Sequence, residues 1–165
     1  MSTKTNTTST SPLQDPRIPV QAKLAAAWTS FMFLYIYVDY FHLYKPGAID
    51  DILAGVVYEF DISQTFLTGT LALIAIPSVM ILLCMTLPAR VNRAANLVVA
   101  ALYIPVSVFN VVGESWLVFY GLGVVVEVFL LAYILRSAWT WPRRAASPAT
   151  PTASLDSEPL RRAQA

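Results

Sequence analysis

Charge is what this sequence has least of. Only 13% of its 165 residues are Asp, Glu, Lys or Arg, about half the share of an average soluble domain, and the mean hydropathy is +0.58. A soluble helical bundle needs a charged outer face on every helix. Most of the apolar stretches here have none, so a membrane protein is the first reading. The net charge of +1, with basic residues scattered rather than gathered on one stripe, gives no nucleic-acid footprint. Cysteine is nearly absent too. The single Cys84 excludes an intrachain disulfide and a CxxC redox pair, and reads as a small core or lipid-facing residue. The single histidine, His42, cannot supply a bis-histidine haem site within the chain. No metal-ligand spacing or nucleophile motif appears, so no cofactor is predicted.

What is present is long uncharged apolar runs. Four spans are predicted at about residues 22–44, 64–88, 93–113 and 115–139, each near the roughly 20 residues that cross a hydrocarbon core. The fold class is therefore an all-α membrane protein, with a four-helix transmembrane domain over residues 21–141. Residues 1–20 and 142–165 are rich in Ser, Thr, Pro, Ala and Arg and bury too little apolar surface to offset their ordering entropy. Both are expected to be disordered tails. The first span is too long for a signal-peptide core, and its small-residue cluster Ala25–Ala27 precedes the apolar core rather than following it, so it is expected to stay uncleaved.

Four spans put both termini on one side. Of the 11 Lys and Arg residues, all but Lys45 fall in the tails, at the ends of the first and fourth spans, or between the second and third. The positive-inside rule then makes both termini cytoplasmic. Trp28, Trp116, Trp139 and Trp141 lie near span ends and read as interfacial anchors; Tyr37, Tyr40 and Tyr44 fit an aromatic belt. Between the first two spans, Ile49, Ile52, Leu53, Val56, Val57 and Phe60 recur at helical spacing, with Asp50, Asp51, Glu59 and Asp61 off the stripe. This predicts a short amphipathic helix over about 48–60, lying on the outer surface after the Pro46-Gly47 break.

The polar residues inside the spans are the candidate site. Asn96, Ala100, Tyr103, Ser107, Asn110 and Glu114 recur at alternating spacings of four and three, which stacks them on one helix face. Lipid cannot satisfy their polar groups, so that face is expected to point into the bundle. Either it is interhelical glue, at about 0.6 kcal/mol per hydrogen bond, or it lines a site. In the first span Trp28, Tyr35, Asp39 and His42 share a stripe. Counting inward to outward brings Asn110 to the depth of Asp39, and Glu114 to that of His42, beneath the surface helix. Glu127 lies roughly 18 Å below the outer surface at about 1.5 Å per residue. A carboxylate so deep costs a few kcal/mol, so it is expected to face the bundle, protonated or hydrogen-bonded to Tyr103 or Ser107. Pro77 and Pro105 sit mid-span, where each frees a carbonyl, and Gly69 with Ala72, and Gly121 with Gly123, read as close-packing positions.

These residues carry a resemblance as well. Tyr35-Ile36-Tyr37 followed by Asp39, then Pro46-Gly47, Ile52 with Ala54-Gly55, Ile76-Pro77, and Asn92-Arg93 with Ala95-Asn96 resemble a domain-of-unknown-function family of small four-span bacterial membrane proteins. The resemblance covers about residues 22–140 and implies that fold and a bacterial inner membrane, with no activity attached. Many members of that family have an acid just before the Ile-Pro pair, where this chain has Ala75; Glu127 is a candidate substitute. Two functions remain open. One is binding or movement of a small molecule or proton through an outward-facing pocket of Tyr35, Asp39, His42, Tyr103, Ser107, Asn110, Glu114 and Glu127. The other is a structural or accessory subunit whose polar residues only fix helix packing. An enzyme is a third reading without a motif behind it. The partners expected are the lipid bilayer and either another membrane protein or further copies of the chain.

Overall fold

The computed structural model describes residues 17–142; most of the two predicted tails lies outside the described residues. Four long helices dominate: α1 (Val20–His42), α3 (Gln64–Thr86), α4 (Ala89–Phe109) and α5 (Leu117–Trp139). Between α1 and α3 come a short helix α2 (Ala48–Leu53) and a hairpin of β1 (Val56–Val57) and β2 (Phe60–Asp61). All four long helices are long and apolar enough to cross a membrane: 21 to 23 residues reach roughly 32–35 Å at about 1.5 Å per residue, against a core of about 30 Å. The chain is a multi-pass membrane protein, and the apolar side chains left on the bundle's outside, such as Leu71, Leu82, Val118 and Phe129, are its lipid-facing surface.

The helices alternate in direction. The α3–α4 joint and the outer ends of α1 and α5 meet at one end of the bundle, called here the tail end. The opposite, capped end carries α2, the hairpin and the turn from α4 to α5. Helix α1 packs along α3 and α5, and α4 packs along α5. The diagonal from α1 to α4 is filled by rings: Trp28, Phe31 and Tyr103 meet edge to face at centroid distances of 5.7 to 6.3 Å, the arrangement aromatic quadrupoles favour. Leu24, Leu131, Ile134 and Cys84 complete the core.

Several expectations are corrected. The surface helix predicted over 48–60 stops at Leu53. Gly47 and Gly55, at φ 90° and 84°, bound it in the left-handed conformation that glycine alone adopts freely. The chain then pairs Val56 with Asp61 and Val57 with Phe60, turning through Tyr58 at φ 57° and Glu59, a two-residue hairpin loop. The apolar stripe read as one helix face is thus divided between a helix and two strands. The third span starts at Ala89, four residues before the predicted 93, because Pro88 opens a helix readily and Arg93 lies over the Trp139 ring, 5.8 Å from its centroid, keeping its charge at the interface. That helix ends at Phe109 rather than 113, so Asn110 caps it and Glu114 stands in the turn beyond. Trp28, expected as an interfacial anchor, is fully buried, because its indole N–H donates into α4. Gly123 is a close contact, where an added Cβ would lie 3.0 Å from Val38, whereas Gly69 and Gly121 have nothing within 4 Å and hold no neighbour close.

Candidate functional site

The polar residues of the bundle fall into three groups by depth. At the tail end, Asn92, Asn96 and Trp28 are all fully buried and saturate one another. The Trp28 indole donates to Asn96 Oδ1 at 2.8 Å, which fixes the amide, since an indole N–H can only donate. Asn96 Nδ2 then donates to Asn92 Oδ1 at 2.7 Å and to the Asn92 carbonyl at 2.9 Å. Asn92 Nδ2 donates to the Cys84 carbonyl at 2.6 Å. That carbonyl's helical partner would be residue 88, a proline with no N–H to give. The same arithmetic holds one level up. Pro77 leaves the carbonyl of Leu73 without its helical donor, and the Tyr103 hydroxyl donates to that carbonyl. Two side chains of α4 therefore satisfy two carbonyls that prolines orphan on α3. In lipid no water would do so.

Mid-bundle, Glu127 and Ser107 are buried at 2% and 0% exposure. Ser107 Oγ and Glu127 Oε2 have no hydrogen-bond partner among the described residues. Ten residues into α5, Glu127 is roughly 15 Å from the start of that helix at about 1.5 Å per residue. The alternative of a Glu127–Tyr103 bond does not occur, because Tyr103 is turned to α3.

At the capped end the charged groups converge around a cavity. Lys45 Nζ reaches Glu114 Oε2 at 2.6 Å, and the Glu114 side chain is 2% exposed. His42 Nδ1 and the Tyr120 hydroxyl share a hydrogen bond at 2.5 Å, and the His42 ring stacks on Tyr58 at 5.9 Å between centroids, 15° from parallel. The Lys45 ammonium also lies 5.6 Å from the Tyr120 ring centroid. A cavity of about 170 Å³ opens beside these groups, lined by the end of α1 and the loop after it, α2, the hairpin and the α4–α5 turn. Burial acts to raise the Glu114 carboxyl, but hydrogen bonds from Lys45 and Tyr58 and the charges of Lys45 and His42 outweigh it and hold it below the usual range. The Tyr58 phenol moves the other way, raised by its own burial and by the Glu114 carboxylate beside it.

The predicted site residues are therefore not one constellation. His42 and Glu114 share the capped-end cavity. Asn110 instead donates to the Tyr35 hydroxyl at 3.2 Å, about one turn below Asp39, because α4 ends at Phe109 and the turn after it lifts Glu114 past the span to the level of Lys45. Asp39 is exposed and has no side-chain partner among the described residues. Tyr35, Asp39, Tyr103, Ser107, Asn110 and Glu127 do not line the cavity. Sequence reasoning missed Lys45, Tyr58 and Tyr120. Lys45 had a signal, being the one basic residue on the far side of a positive-inside pattern; the two tyrosines had none. Among the described residues no group of three His, Cys, Asp or Glu side chains is placed to hold a metal.

A family described as a family of unknown function (DUF6326) matches residues 19–147 of the chain. No curated protein matches it, and no solved structure does.

Proposed function

The chain belongs to the family of unknown function DUF6326, a membership that brings no activity with it, and we propose on that premise that it is a membrane protein that binds a small polar molecule in the capped-end pocket. The observation that carries this reading is the Lys45–Glu114 pair at 2.6 Å, set in the wall of a cavity rather than in packed protein. A buried ion pair is weak evidence for stability, since desolvation offsets most of its attraction. A cavity with a few convergent polar groups is where ligands bind. The positive-inside pattern supports a bacterial inner-membrane protein with both termini in the cytoplasm and a pocket that opens away from it: Lys23, Arg90, Arg93 and Arg136 sit at the tail end, and Lys45 alone of the described basic residues sits at the capped end.

Binding is favoured over conduction, because the cavity wall stops at Glu114 and Ser115 and does not include Glu127. The structural reading keeps its own ground deeper in the bundle. Where Asn92, Asn96, Trp28 and Tyr103 consume one another and the orphaned carbonyls, nothing is left over for a ligand, and these side chains act as glue. Copurification separates the two. Protein extracted from native membranes is expected to carry a small molecule, identified by mass spectrometry, that the Lys45→Met/Glu114→Gln double variant lacks while keeping its melting temperature within a few degrees. A wild type and double variant with the same bound molecules, or with none, would leave the structural reading standing alone.

A further inference from the structure

The capped-end cavity carries both signs of charge in its lining. Lys45 comes from the loop after α1, and its ammonium spends one of its three donors on Glu114, leaving two. Asp51, on α2, also lines the cavity and has no side-chain partner among the described residues. Glu114 adds a second carboxylate to the lining, and the Tyr58 ring, stacked on His42, adds an aromatic surface of the kind that attracts a cation.

A lone anion entering this cavity would find Lys45 but also two carboxylates. A lone cation would find Asp51 and the Tyr58 ring, but would also meet the Lys45 ammonium. A molecule with both charges, one at each end, meets neither repulsion and need not break the Lys45–Glu114 pair. Size favours a small ligand: about 170 Å³ is room for several waters and takes an ammonium and an acid joined by a short chain.

We infer that the pocket takes a small zwitterion, its acid group on the free donors of Lys45 and its ammonium on Asp51. This rests on the reading of the cavity as a binding site. Two sources offer that chemistry. One is a free short amino acid from the aqueous side. The other is an ethanolamine phospholipid headgroup, available because the pocket sits at the level of the exposed Tyr40, Phe41 and Tyr44 rings, where headgroups lie.

The experiment uses the full chain in nanodiscs, titrated calorimetrically with glycine, β-alanine, ethanolamine and propionate. Discs of phosphatidylglycerol alone are compared with discs containing phosphatidylethanolamine. The expected result is that one zwitterion binds at least tenfold more tightly than ethanolamine or propionate, and that Asp51→Asn, with an unchanged melting temperature, and Lys45→Met, still folded at the assay temperature, each weaken it at least tenfold. Asp51 is exposed, so its variant is expected to fold in any case. If the lipid is the source, phosphatidylethanolamine raises the melting temperature of the wild type but not of Asp51→Asn, and blocks the amino acids. Equal binding of ethanolamine or propionate would overturn the zwitterion while leaving the pocket in place. Absence of binding in every arm, with a different molecule copurifying from native membranes, would do the same; absence in every arm with nothing copurifying would remove the pocket as well.

Discussion

Lys45 and Glu114 show how one residue's meaning depends on what surrounds it. On an open surface such a pair contributes little, but here the carboxylate is almost wholly enclosed, with Lys45, Tyr58 and His42 around it holding its carboxyl below the usual range. The sign of the linkage follows. A carboxyl lowered in the folded state contributes stability that is fully present above its unfolded value, near pH 4.3, and that is lost as pH falls through the lower folded value. Melting curves in detergent are therefore expected to lose stability below about pH 4.3, and Glu114→Gln is expected to flatten that acid limb. Lys45→Met should move it to higher pH, because the carboxylate then lacks its chief counter-charge. An acid limb identical in all three proteins would mean that other carboxyls set it.

At the scale of elements, α4 works as a strip of donors for α3. Tyr103 answers the carbonyl freed by Pro77, and Asn92 answers the one freed by Pro88. Tyr103→Phe keeps the ring contacts with Trp28 and Phe31 but leaves the Leu73 carbonyl without a donor, at a cost of about 1–3 kcal/mol. In a Pro77→Ala background the helix supplies its own N–H to that carbonyl, so the same substitution should cost no more than a few tenths. A double-mutant cycle in detergent, with a coupling of about 1 kcal/mol or more, is the expected outcome; additive losses would show that the hydroxyl serves something other than the proline gap. The contact of α1 with α5 makes a second prediction. Gly123→Leu places side-chain atoms where Val38 already stands and should destabilise by about 1–3 kcal/mol as overpacking does. Gly121→Leu, with open space at its Cβ position, should be nearly neutral; thermal melts of the two variants decide it.

For the whole molecule, the distribution of charge sets orientation. Acids gather at the capped end, where Asp50, Asp51, Glu59, Asp61 and Glu114 lie, and bases at the tail end. In a Cys84→Ser background, a cysteine at Ala54 is expected to react with an impermeant thiol reagent in intact cells, and one at Ala89 only after the membrane is opened. The reverse pattern would invert the protein and place the pocket on the cytoplasmic side. Both positions are exposed, so protection would report topology rather than burial.

The amino-acid sequence by itself determined the four spans and the inward face of α4. Long uncharged runs and a period near 3.6 are local properties that lipid enforces wherever the chain runs, and Asn96, Tyr103 and Ser107 had to turn inward because hydrocarbon offers no hydrogen bonds. It determined the presence of a helix after Gly47 but not its length, because the stripe from Ile49 to Phe60 has helical spacing until Gly55 releases the chain into a hairpin. Only the tertiary structure decided which polar groups meet. A shift of one turn, set by where α4 ends, gave Asn110 to Tyr35 instead of Asp39 and brought Glu114 to Lys45. No periodicity encodes which residues meet when they stand 69 to 75 apart in the chain; that is fixed by side-chain packing across the bundle. The same packing turned Tyr103 away from Glu127 toward a carbonyl whose need for a donor arises only from the proline four residues on.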